Sequence, residues 1–266
     1  MRRFVIGDIH GCAKALRTLL ESIDPQRDDE LVFLGDYVDR GPDSRGVIDQ
    51  LIELQQRCRV VALRGNHEIM LYGVAYGGLD AAMWLGAGGN ATVTSYGGSL
   101  DKIPADHKQF LLSLRTHYET AESIFVHACY DAYRAMDDQS DEIRYWTHLG
   151  PIPPPHCSGK RVFVGHTPQP GGTVLDVGHL VCVDTYCFGT GYLTAMNVDS
   201  GELVQVDRKG HRRRVPAEAL WLFCSGIIQS MRNRWKSGAP HLDAEPTESS
   251  GADTEVISND NGSADR

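Results

Sequence analysis

The sequence predicts an α/β fold, because apolar runs and segments of helical spacing alternate along the first quarter of the chain. Apolar runs at 3–6 and 31–34 have the length and composition of buried strands. Apolar residues spaced as on one face of a helix follow each run, over 13–23 and 45–57, and a third run lies at 60–63. Such alternation requires crossover connections, so we expect a mostly parallel sheet.

A second observation is that five apolar runs each end in a residue that can bind a metal ion. In sheets of this kind, ligands bind beyond the carboxyl ends of the strands, where these residues lie. One match would mean little, but five matches drawn from oxygen and nitrogen donors predict a two-metal hydrolytic site. The runs lead, in chain order, into Gly7-Asp8-Ile9-His10, Gly35-Asp36, Asn66-His67-Glu68, His127 and Gly165-His166.

The later part of the chain has a less regular pattern. Residues 72–105 are rich in glycine and weakly periodic, so we interpret them as an insert or lid. Short helices are predicted at 107–119 and near 142–146. Short runs broken by glycine between 174 and 206 are typical of an antiparallel meander. Residues 217–235 fit a further helix.

The composition indicates one globular domain followed by a charged tail. Of the 266 residues, 41% are hydrophobic and 23% are charged, which suits one large domain. Residues 237–266 lack aromatic side chains, and their seven acidic residues and one basic residue contribute −6 of the net charge of −9. We predict a catalytic domain over 1–236 and a disordered acidic tail over 237–266. The remaining −3 gives no support for a nucleic-acid partner.

Cysteine usage and hydropathy favour a cytoplasmic protein. The seven cysteines form no Cys-x-x-Cys pair and are odd in number, so neither a disulfide framework nor a thiolate zinc site is indicated. No apolar stretch approaches the roughly 18 residues that a membrane span needs. The apolar run near the N-terminus is too short for a signal peptide. We expect a monomer with no membrane partner.

Two metal sites follow from the chemistry and spacing of the donors. Asp8 and His10 are two residues apart at a strand end, so their side chains point the same way and can bind one ion. The two carboxylate oxygens of Asp36 can bridge this ion to a second one. Oxygen and imidazole donors without thiolate suit Mn, Fe, Zn, Co or Ni. The further ligands of the second ion are Asn66, His127 and His166.

Phosphate esters are the substrates for which such metals matter most. Phosphate monoesters hydrolyse so slowly that enzymes reach accelerations near ~10²¹, whereas a positioned acid or base supplies about 10²–10⁴. Three nearby residues could protonate the leaving group and bind the phosphate. A His67–Asp39 hydrogen bond would hold an imidazolium that protonates the leaving alkoxide. The forked guanidinium of Arg40 would bind phosphate oxygens.

These residues lie in three longer motifs: Gly7-Asp8-Ile9-His10-Gly11, Gly35-Asp36-Tyr37-Val38-Asp39-Arg40-Gly41 and Arg64-Gly65-Asn66-His67-Glu68. The motifs resemble the signature of the phosphoprotein phosphatase family of calcineurin-like metallophosphoesterases, bacterial type. That family includes serine/threonine protein phosphatases and symmetrical diadenosine tetraphosphatases. The resemblance covers about residues 1–205. Shorter matches are Val126-His127-Ala128, Gly165-His166-Thr167-Pro168 and, in the insert, Trp84-Leu85-Gly86-Ala87-Gly88-Gly89 and Ser95-Tyr96-Gly97.

The resemblance implies a four-layer αββα sandwich of two mixed sheets flanked by helices, with two divalent metal ions that are often manganese. It implies direct in-line attack on phosphorus by a metal-bridging hydroxide, without a phosphoenzyme. By motif match, Asp39 and His67 form the catalytic dyad, and Arg40 and Asn66 contact the phosphate. The implied ligands are Asp8, His10 and Asp36 for one ion, and Asp36, Asn66, His127 and His166 for the other.

Two positions depart from the family pattern. Bacterial members that dephosphorylate proteins commonly carry Trp-x-Arg, whereas this chain has Trp146-Thr147-His148. The identity of a second phosphate-binding arginine is therefore left open, with Arg144 nearby. Members often continue the Asp-Thr strand with glycine, whereas this chain has Asp184-Thr185-Tyr186. We assign Trp84 and Tyr96 to packing rather than to nucleobase stacking.

We predict a metal-dependent phosphoric ester hydrolase, with serine/threonine protein phosphatase as the first choice. The alternative is a symmetrical diadenosine tetraphosphatase, because the signature motifs are shared and the missing arginine weakens the first choice. A third hypothesis, from another class, is a non-catalytic phosphate-binding module. Loss of a ligand would mark such a module, and no predicted ligand is missing here.

Overall fold

The computed structural model of the protein describes residues 1–213. Two five-stranded mixed sheets pack between helices in this range, which confirms the predicted α/β sandwich. The predicted helix at 217–235 and the predicted tail at 237–266 lie outside the described residues. The domain boundary at 236 therefore stays a prediction.

Ten strands of the described residues divide between the two sheets. They are β1 (Arg3–Ile6), β2 (Glu30–Phe33), β3 (Arg59–Ala62), β4 (His117–Glu119), β5 (Ser123–Val126), β6 (Arg161–Val164), β7 (Leu175–Asp176), β8 (Leu180–Cys182), β9 (Tyr192–Asn197) and β10 (Leu203–Asp207). The first sheet has the order β10-β9-β1-β2-β3, in which β1, β2 and β3 are parallel. The second has the order β4-β5-β6-β8-β7, with a parallel centre and antiparallel edges.

Helices connect the strands and cover the sheets. They are α1 (Ala13–Ile23), α2 (Ser44–Leu54), α3 (Asn66–Tyr76), α4 (Ala81–Trp84), α5 (Asn90–Ser95), α6 (Ala105–Leu112) and α7 (Asp141–Trp146). The first two confirm the predicted crossovers between β1, β2 and β3. Asp43 caps α2 by accepting a hydrogen bond from the amide of Gly46 at 2.8 Å. Within residues 1–213, no helix has both the length and the apolarity of a membrane span.

Alternating strand side chains place apolar residues on both faces of each sheet. Val5 of β1 and Phe125 of β5 belong to the cluster between the two sheets. Their neighbours Phe4 and Ile124 belong to the clusters on the outer faces, since successive side chains of a strand point to opposite sides. Both sheets are thus buried on two faces, and their strand ends are held in fixed relative positions.

Several predictions about the later chain are wrong in part. The supposed meander at 174–206 is split between sheets, because β8 pairs with β6 while β9 pairs with β1. The antiparallel strands β9 and β10 make the first sheet mixed, as the family resemblance implied, rather than mostly parallel, as the alternation of strands and helices predicted. The helix expected over 107–119 ends at Leu112, because residues 117–119 pair with β5. The segment 72–105 is largely helical, and its interpretation as an insert or lid stays a prediction.

An ion pair beside the start of β2 allows a test of the fold that does not involve the predicted metal ligands at the carboxyl ends of the strands. Asp29 is buried and accepts hydrogen bonds from the Arg2 guanidinium and from the amide of Gln26 at 2.9 Å. Burial alone would raise the pKa of Asp29, but these donors hold it at about 2. A carboxyl pKa below its unfolded value contributes stability above that unfolded value, and the contribution disappears as pH falls through about 2.

We therefore expect Asp29→Asn to lower the free energy of unfolding by about 1–2 kcal/mol at pH 7. The difference from the natural protein should shrink below about pH 4, where the unfolded carboxyl protonates. Urea titrations at pH 7 and pH 3 measure both values. An equal loss at the two pH values would show that the charge of Asp29 contributes nothing.

Candidate metal centre

Loops from both sheets meet where the predicted donors lie. The amide of His10, after β1, donates to the carbonyl oxygen of Asp36, after β2, at 2.8 Å. The amide of His67, after β3, donates to the Asp36 carboxylate at 3.2 Å. In the second sheet, the amide of Gly165, after β6, donates to the carbonyl oxygen of His127, after β5, at 2.7 Å. Because His127 and His166 also form a group of possible metal ligands with Asp36, five separate segments of chain meet around Asp36.

Backbone strain is concentrated in these loops. A left-handed backbone costs a non-glycine residue roughly 1–2 kcal/mol and persists only where the surroundings hold it. Most non-glycine residues with such a backbone within residues 1–213 are predicted ligands or their neighbours. They are His10 (φ 47°), Asp36 (52°), Asp39 (72°), Arg40 (65°) and His166 (60°).

The Asp36 carboxylate lies between two imidazoles. Its Oδ2 is 3.4 Å from Nε2 of His10, and its Oδ1 is 3.5 Å from Nε2 of His127. The Nδ1 atoms of these rings lie 3.0 Å from the carbonyl oxygen of Val38 and 2.9 Å from that of Leu34, so each donates there. Both Nε2 atoms are thereby left unprotonated, and each lies near a different oxygen of the Asp36 carboxylate.

A second group of donors surrounds His127. Its Nε2 lies 3.1 Å from Oδ1 of Asn66, and its ring centroid lies 5.0 Å from that of His166. One ligand atom from each of Asp36, His127 and His166 lies within 4.8 Å of the others. Nε2 of His166 is 3.3 Å from the carbonyl oxygen of Trp146, so a hydrogen bond there leaves Nδ1 as the available donor atom.

Asp8 lies beside this arrangement rather than in the tightest group. Its carboxylate accepts from the amide of His166 at 3.1 and 3.2 Å, while His67 completes a group of three donors with His10 and Asp36. Burial, and then the nearby carboxylates of Asp184 and Asp36, raise the pKa of Asp8 well above its usual range. Such repulsion between buried carboxylates is what a bound cation relieves.

The charge states of the donors fit divalent cations. Burial lowers the pKa of His10 and His127, and burial together with His127 lowers that of His166 to about 3. These rings are therefore neutral at pH 7, as metal ligands must be. Burial would raise the pKa of Asp36, but the surrounding histidines, His127 first, hold it well below its usual value. Neutral imidazoles and anionic oxygens without sulfur suit borderline or hard metals.

The hydrogen bond predicted between His67 and Asp39 is present and buried. Nδ1 of His67 lies 2.6 Å from Oδ2 of Asp39, and both side chains are at most 1% exposed. Burial acts to lower the pKa of His67, but Asp36 and the hydrogen bond to Asp39 raise it above its ordinary value. The raised pKa favours the protonated ring, and Asp39 fixes the orientation of that ring.

Arg40 reaches the same pocket. Its Nη1 lies 2.9 Å from Nε2 of His10, and its guanidinium carbon lies 4.5 Å from the ring centroid of Phe188. Phe188 also contacts the ring of His10 edge to face at 4.9 Å. The guanidinium is thus held against an aromatic face beside the predicted ligands, where it can meet a phosphate oxygen.

Glu68 organises the loop although the sequence suggested no role for it. Its carboxylate accepts from the amides of Asp36, Tyr37 and Gly65 at 3.0, 2.8 and 2.9 Å. Glu68 is the third residue of α3, a position from which glutamate often bonds back to the start of its helix. The position of Glu68 three residues after Gly65 is the sequence pattern that could have indicated this role.

Other contacts depend on tertiary structure and were missed. Trp84 and Thr92 of the insert both hydrogen-bond to Asp39. Trp84 and Tyr96 are buried, as their assignment to packing expects, but packing does not describe the polar contact of Trp84. Asp184 and Phe188 also lie at the site without having been predicted there.

Arg144 and His148, the two residues considered near the Trp-x-Arg position, lie in different surroundings. Arg144 donates to Asp141 at 2.7 Å and so forms a local pair on α7. The ring of His148 stacks on that of His166 with centroids 4.3 Å apart and planes 15° apart. Of these two, the exposed His148 is the residue that lies at the predicted ligands.

Known proteins that resemble this chain identify its family and support its fold. A sequence model of the calcineurin-like phosphoesterase family matches residues 1–189. A symmetrical bis(5'-nucleosyl)-tetraphosphatase of Legionella pneumophila (strain Lens) is 43% identical over 79 residues, which cover 29% of this chain and 28% of that protein. Serine/threonine-protein phosphatase 1 of Salmonella typhimurium is 43% identical over 89 residues, which cover 33% of this chain and 38% of that protein.

These alignments span well under half of either curated relative. A solved structure described as a candidate diadenosine tetraphosphatase matches more of the chain. It has a TM-score of 0.59 and 23% sequence identity, and the match covers 77% of this chain and 92% of the other. At that identity the likeness concerns the fold.

Proposed function

Because the chain belongs to the calcineurin-like phosphoesterase family, we propose that it is a phosphoric ester hydrolase that uses two divalent cations. One observation carries this proposal: the Asp36 carboxylate directs one oxygen toward His10 and the other toward His127. A carboxylate placed in this way can serve two ions at once. Paired ions are the usual means of in-line displacement at phosphorus.

The residues that would hold the ions are those predicted from the strand ends. When bound, the ions would neutralise phosphate charge and lower the pKa of the attacking water. Manganese is our first choice of metal, and the donors equally admit Fe, Zn, Co or Ni. The ligands we propose are Asp8, His10 and Asp36 for one ion and Asp36, Asn66, His127 and His166 for the other.

The remaining polar residues would position the substrate and supply a proton. We assign Arg40 and Asn66 to the phosphate oxygens, since both side chains lie beside the paired imidazoles. His67 donates its proton to the leaving oxygen, while Asp39 holds the ring and stabilises its positive charge. Because this path needs no protein nucleophile, we expect no phosphoenzyme.

We propose phosphoserine and phosphothreonine in proteins as the first substrates. Their alkoxide leaving groups are strongly basic, so a buried acid such as His67 contributes most on them. Similarity to the insert of bacterial family members and to a serine/threonine-protein phosphatase of Salmonella typhimurium supports this choice. The cytoplasmic location and the monomeric state remain predictions.

The second candidate is hydrolysis of diadenosine tetraphosphate. It is supported by the relatives named as symmetrical tetraphosphatases and by two half-buried aromatic rings beside the site. Tyr186 contacts Phe188 edge to face at 4.7 Å, and Phe188 lies against Arg40 and His10. Tyr186 has φ 67°, where glycine would be unstrained. Strain held at such a place is often functional, and aromatic rings can stack with a nucleobase.

Parallel assays decide between these functions. p-Nitrophenyl phosphate is first hydrolysed with manganese, cobalt, nickel or zinc, and then a phosphopeptide panel is compared with diadenosine tetraphosphate. We expect metal-dependent turnover and a higher kcat/KM on phosphopeptides. A higher value on the dinucleotide would make the second candidate the function. Absence of turnover with every metal would instead support a non-catalytic phosphate-binding module.

Tyr186→Gly tests the aromatic support for the second candidate. If a nucleobase stacks on this ring, the variant should raise the KM for diadenosine tetraphosphate about fivefold or more. The kcat/KM for a phosphoserine peptide should stay within about twofold, and the midpoint of thermal unfolding should change little, because relief of the left-handed strain offsets the lost contact with Phe188. An unchanged KM for the dinucleotide would remove Tyr186 from nucleobase binding.

A further inference from the structure

Two residues of the insert hold the carboxylate of the catalytic dyad. We infer that Trp84 and Thr92 are positioning residues, whose hydrogen bonds to Asp39 orient His67 for proton donation to poor leaving groups. This inference rests on the proposed function, since it concerns the same site. It assigns to the insert a part of the acid–base machinery rather than the role of a lid.

Both oxygens of Asp39 are bound by fixed donors. Nε1 of Trp84 donates to Oδ2 at 2.8 Å, and this oxygen also accepts from Nδ1 of His67 at 2.6 Å. The hydroxyl of Thr92 donates to Oδ1 at 2.7 Å. Asp39, His67, Trp84 and Thr92 are all at most 1% exposed. Because water has almost no access to this carboxylate, these three donors determine its orientation.

Thr92 also holds the backbone of Asp39. Its Oγ1 lies 2.8 Å from the amide nitrogen of Asp39, so it accepts there, and it lies 2.9 Å from the hydroxyl of Ser44. The direction of the threonine hydroxyl is therefore set: it accepts from the amide and donates to the carboxylate. One side chain thus supports both the left-handed backbone of Asp39, with φ 72°, and its carboxylate.

The backbone of the insert brings these two side chains to the site. A π-helical turn over Leu85–Gly89 separates Trp84 from α5, which carries Thr92. A Cβ atom at Gly89 would lie 2.4 Å from Cε2 of Trp84, so this position requires glycine for the indole to pack closely. Gly88 accepts from the amide of Arg40 at 3.1 Å. The turn therefore contacts the Asp39-Arg40 pair from one side.

The indole and the hydroxyl are neutral donors, and this has a chemical consequence. They hold the Asp39 carboxylate in place without adding a competing positive charge. Loss of the Thr92 donor would remove the hydrogen bond to Oδ1, and loss of the Trp84 donor would leave Oδ2 held by His67 alone, so the carboxylate could turn. His67 would then keep Asp39 as its charged partner, but its ring would no longer be held in the orientation needed to protonate the leaving oxygen. We therefore expect kcat to fall on substrates for which protonation of the leaving group limits the rate. On other substrates kcat should hardly change.

Leaving-group dependence therefore separates positioning from general structural support. We measure kcat and kcat/KM on a phosphoserine peptide and on p-nitrophenyl phosphate, whose leaving group needs little protonation. Trp84→Phe removes the donor and keeps an aromatic ring, and Thr92→Val removes the hydroxyl and keeps the shape. Each should lower kcat on the peptide by about 10- to 100-fold. Each should change kcat on p-nitrophenyl phosphate by less than about threefold.

Matched variants control for packing within the insert. Tyr96→Phe removes another buried hydrogen bond of the insert, the 2.9 Å contact between Tyr96 Oη and His107 Nδ1, without touching Asp39. It should leave the ratio of the two kcat values unchanged. Thr92→Ser keeps the hydroxyl and should restore the peptide activity that Thr92→Val loses. Because the ratio is taken within one preparation, partial unfolding of a variant does not alter it.

Two results would overturn the inference. One is a loss of equal size on both substrates in Trp84→Phe and Thr92→Val. The other is a ratio in Tyr96→Phe that shifts as much as theirs. If Trp84→Phe does not fold, the Thr92→Val and Thr92→Ser pair decides alone. Failure of the natural protein to hydrolyse p-nitrophenyl phosphate with any metal would refute the proposed function, and is thus a distinguishable outcome.

Discussion

Replacing His67 by asparagine is expected to lower kcat on a phosphoserine peptide by about 10²–10⁴-fold. The ring is buried and bound to Asp39 at 2.6 Å, and its raised pKa favours the protonated form, which can act as an acid through its other nitrogen. Asparagine keeps a polar side chain of similar reach but cannot donate a proton as an acid. Steady-state kinetics on a phosphoserine peptide measures the loss.

The leaving group provides the control for this variant. On p-nitrophenyl phosphate, whose leaving group departs without an acid, His67→Asn should lose much less than on the peptide. The double variant with Asp39→Asn should be little worse than His67→Asn alone, because two residues that act as one unit are not additive. A loss below tenfold on the phosphoserine peptide would show that His67 is not the general acid.

Asp36→Asn is expected to remove one or both metal ions and nearly all activity. The substitution keeps the size of the side chain but removes the negative charge that faces His10 and His127. Its amide nitrogen cannot bind a metal, so one of the two positions loses its oxygen. Elemental analysis after gel filtration gives the number of ions per chain.

Asp29→Asn is the matched control for that experiment, since it neutralises another buried carboxylate that pairs with Arg2 instead of the site residues. It should retain the metal content of the natural protein despite its lower stability. If Asp36→Asn still held two ions as tightly as the natural protein, Asp36 could not be the residue that joins them.

The donors could be predicted from the sequence because their positions depend on local patterns. Asp8, Asp36 and His127 directly follow or nearly follow short apolar strands, and parallel strands bring their carboxyl ends to a common region. The bounds of α1 also follow from its apolar spacing. Such features involve only a few neighbouring residues, so they can be recognised in a single sequence.

The missed features depend on contacts between distant segments. The insert looked irregular because its glycines break the helical pattern, yet Trp84 and Thr92 contact Asp39 across 45 and 53 residues. The strands β8 and β9 are close in sequence and belong to different sheets, which no local period encodes. Propensity and spacing do not determine which strand a short apolar run will pair with.

In the function proposed here, Asp36 joins two cations that lie between the two groups of histidines. Anomalous diffraction from crystals grown with manganese would locate both ions. We expect two peaks about 3.5–4 Å apart, one on each side of the Asp36 carboxylate, with His127 and His166 bound to one of them. A single peak, or peaks that leave His127 and His166 without a metal contact, would show that Asp36 does not join two ions.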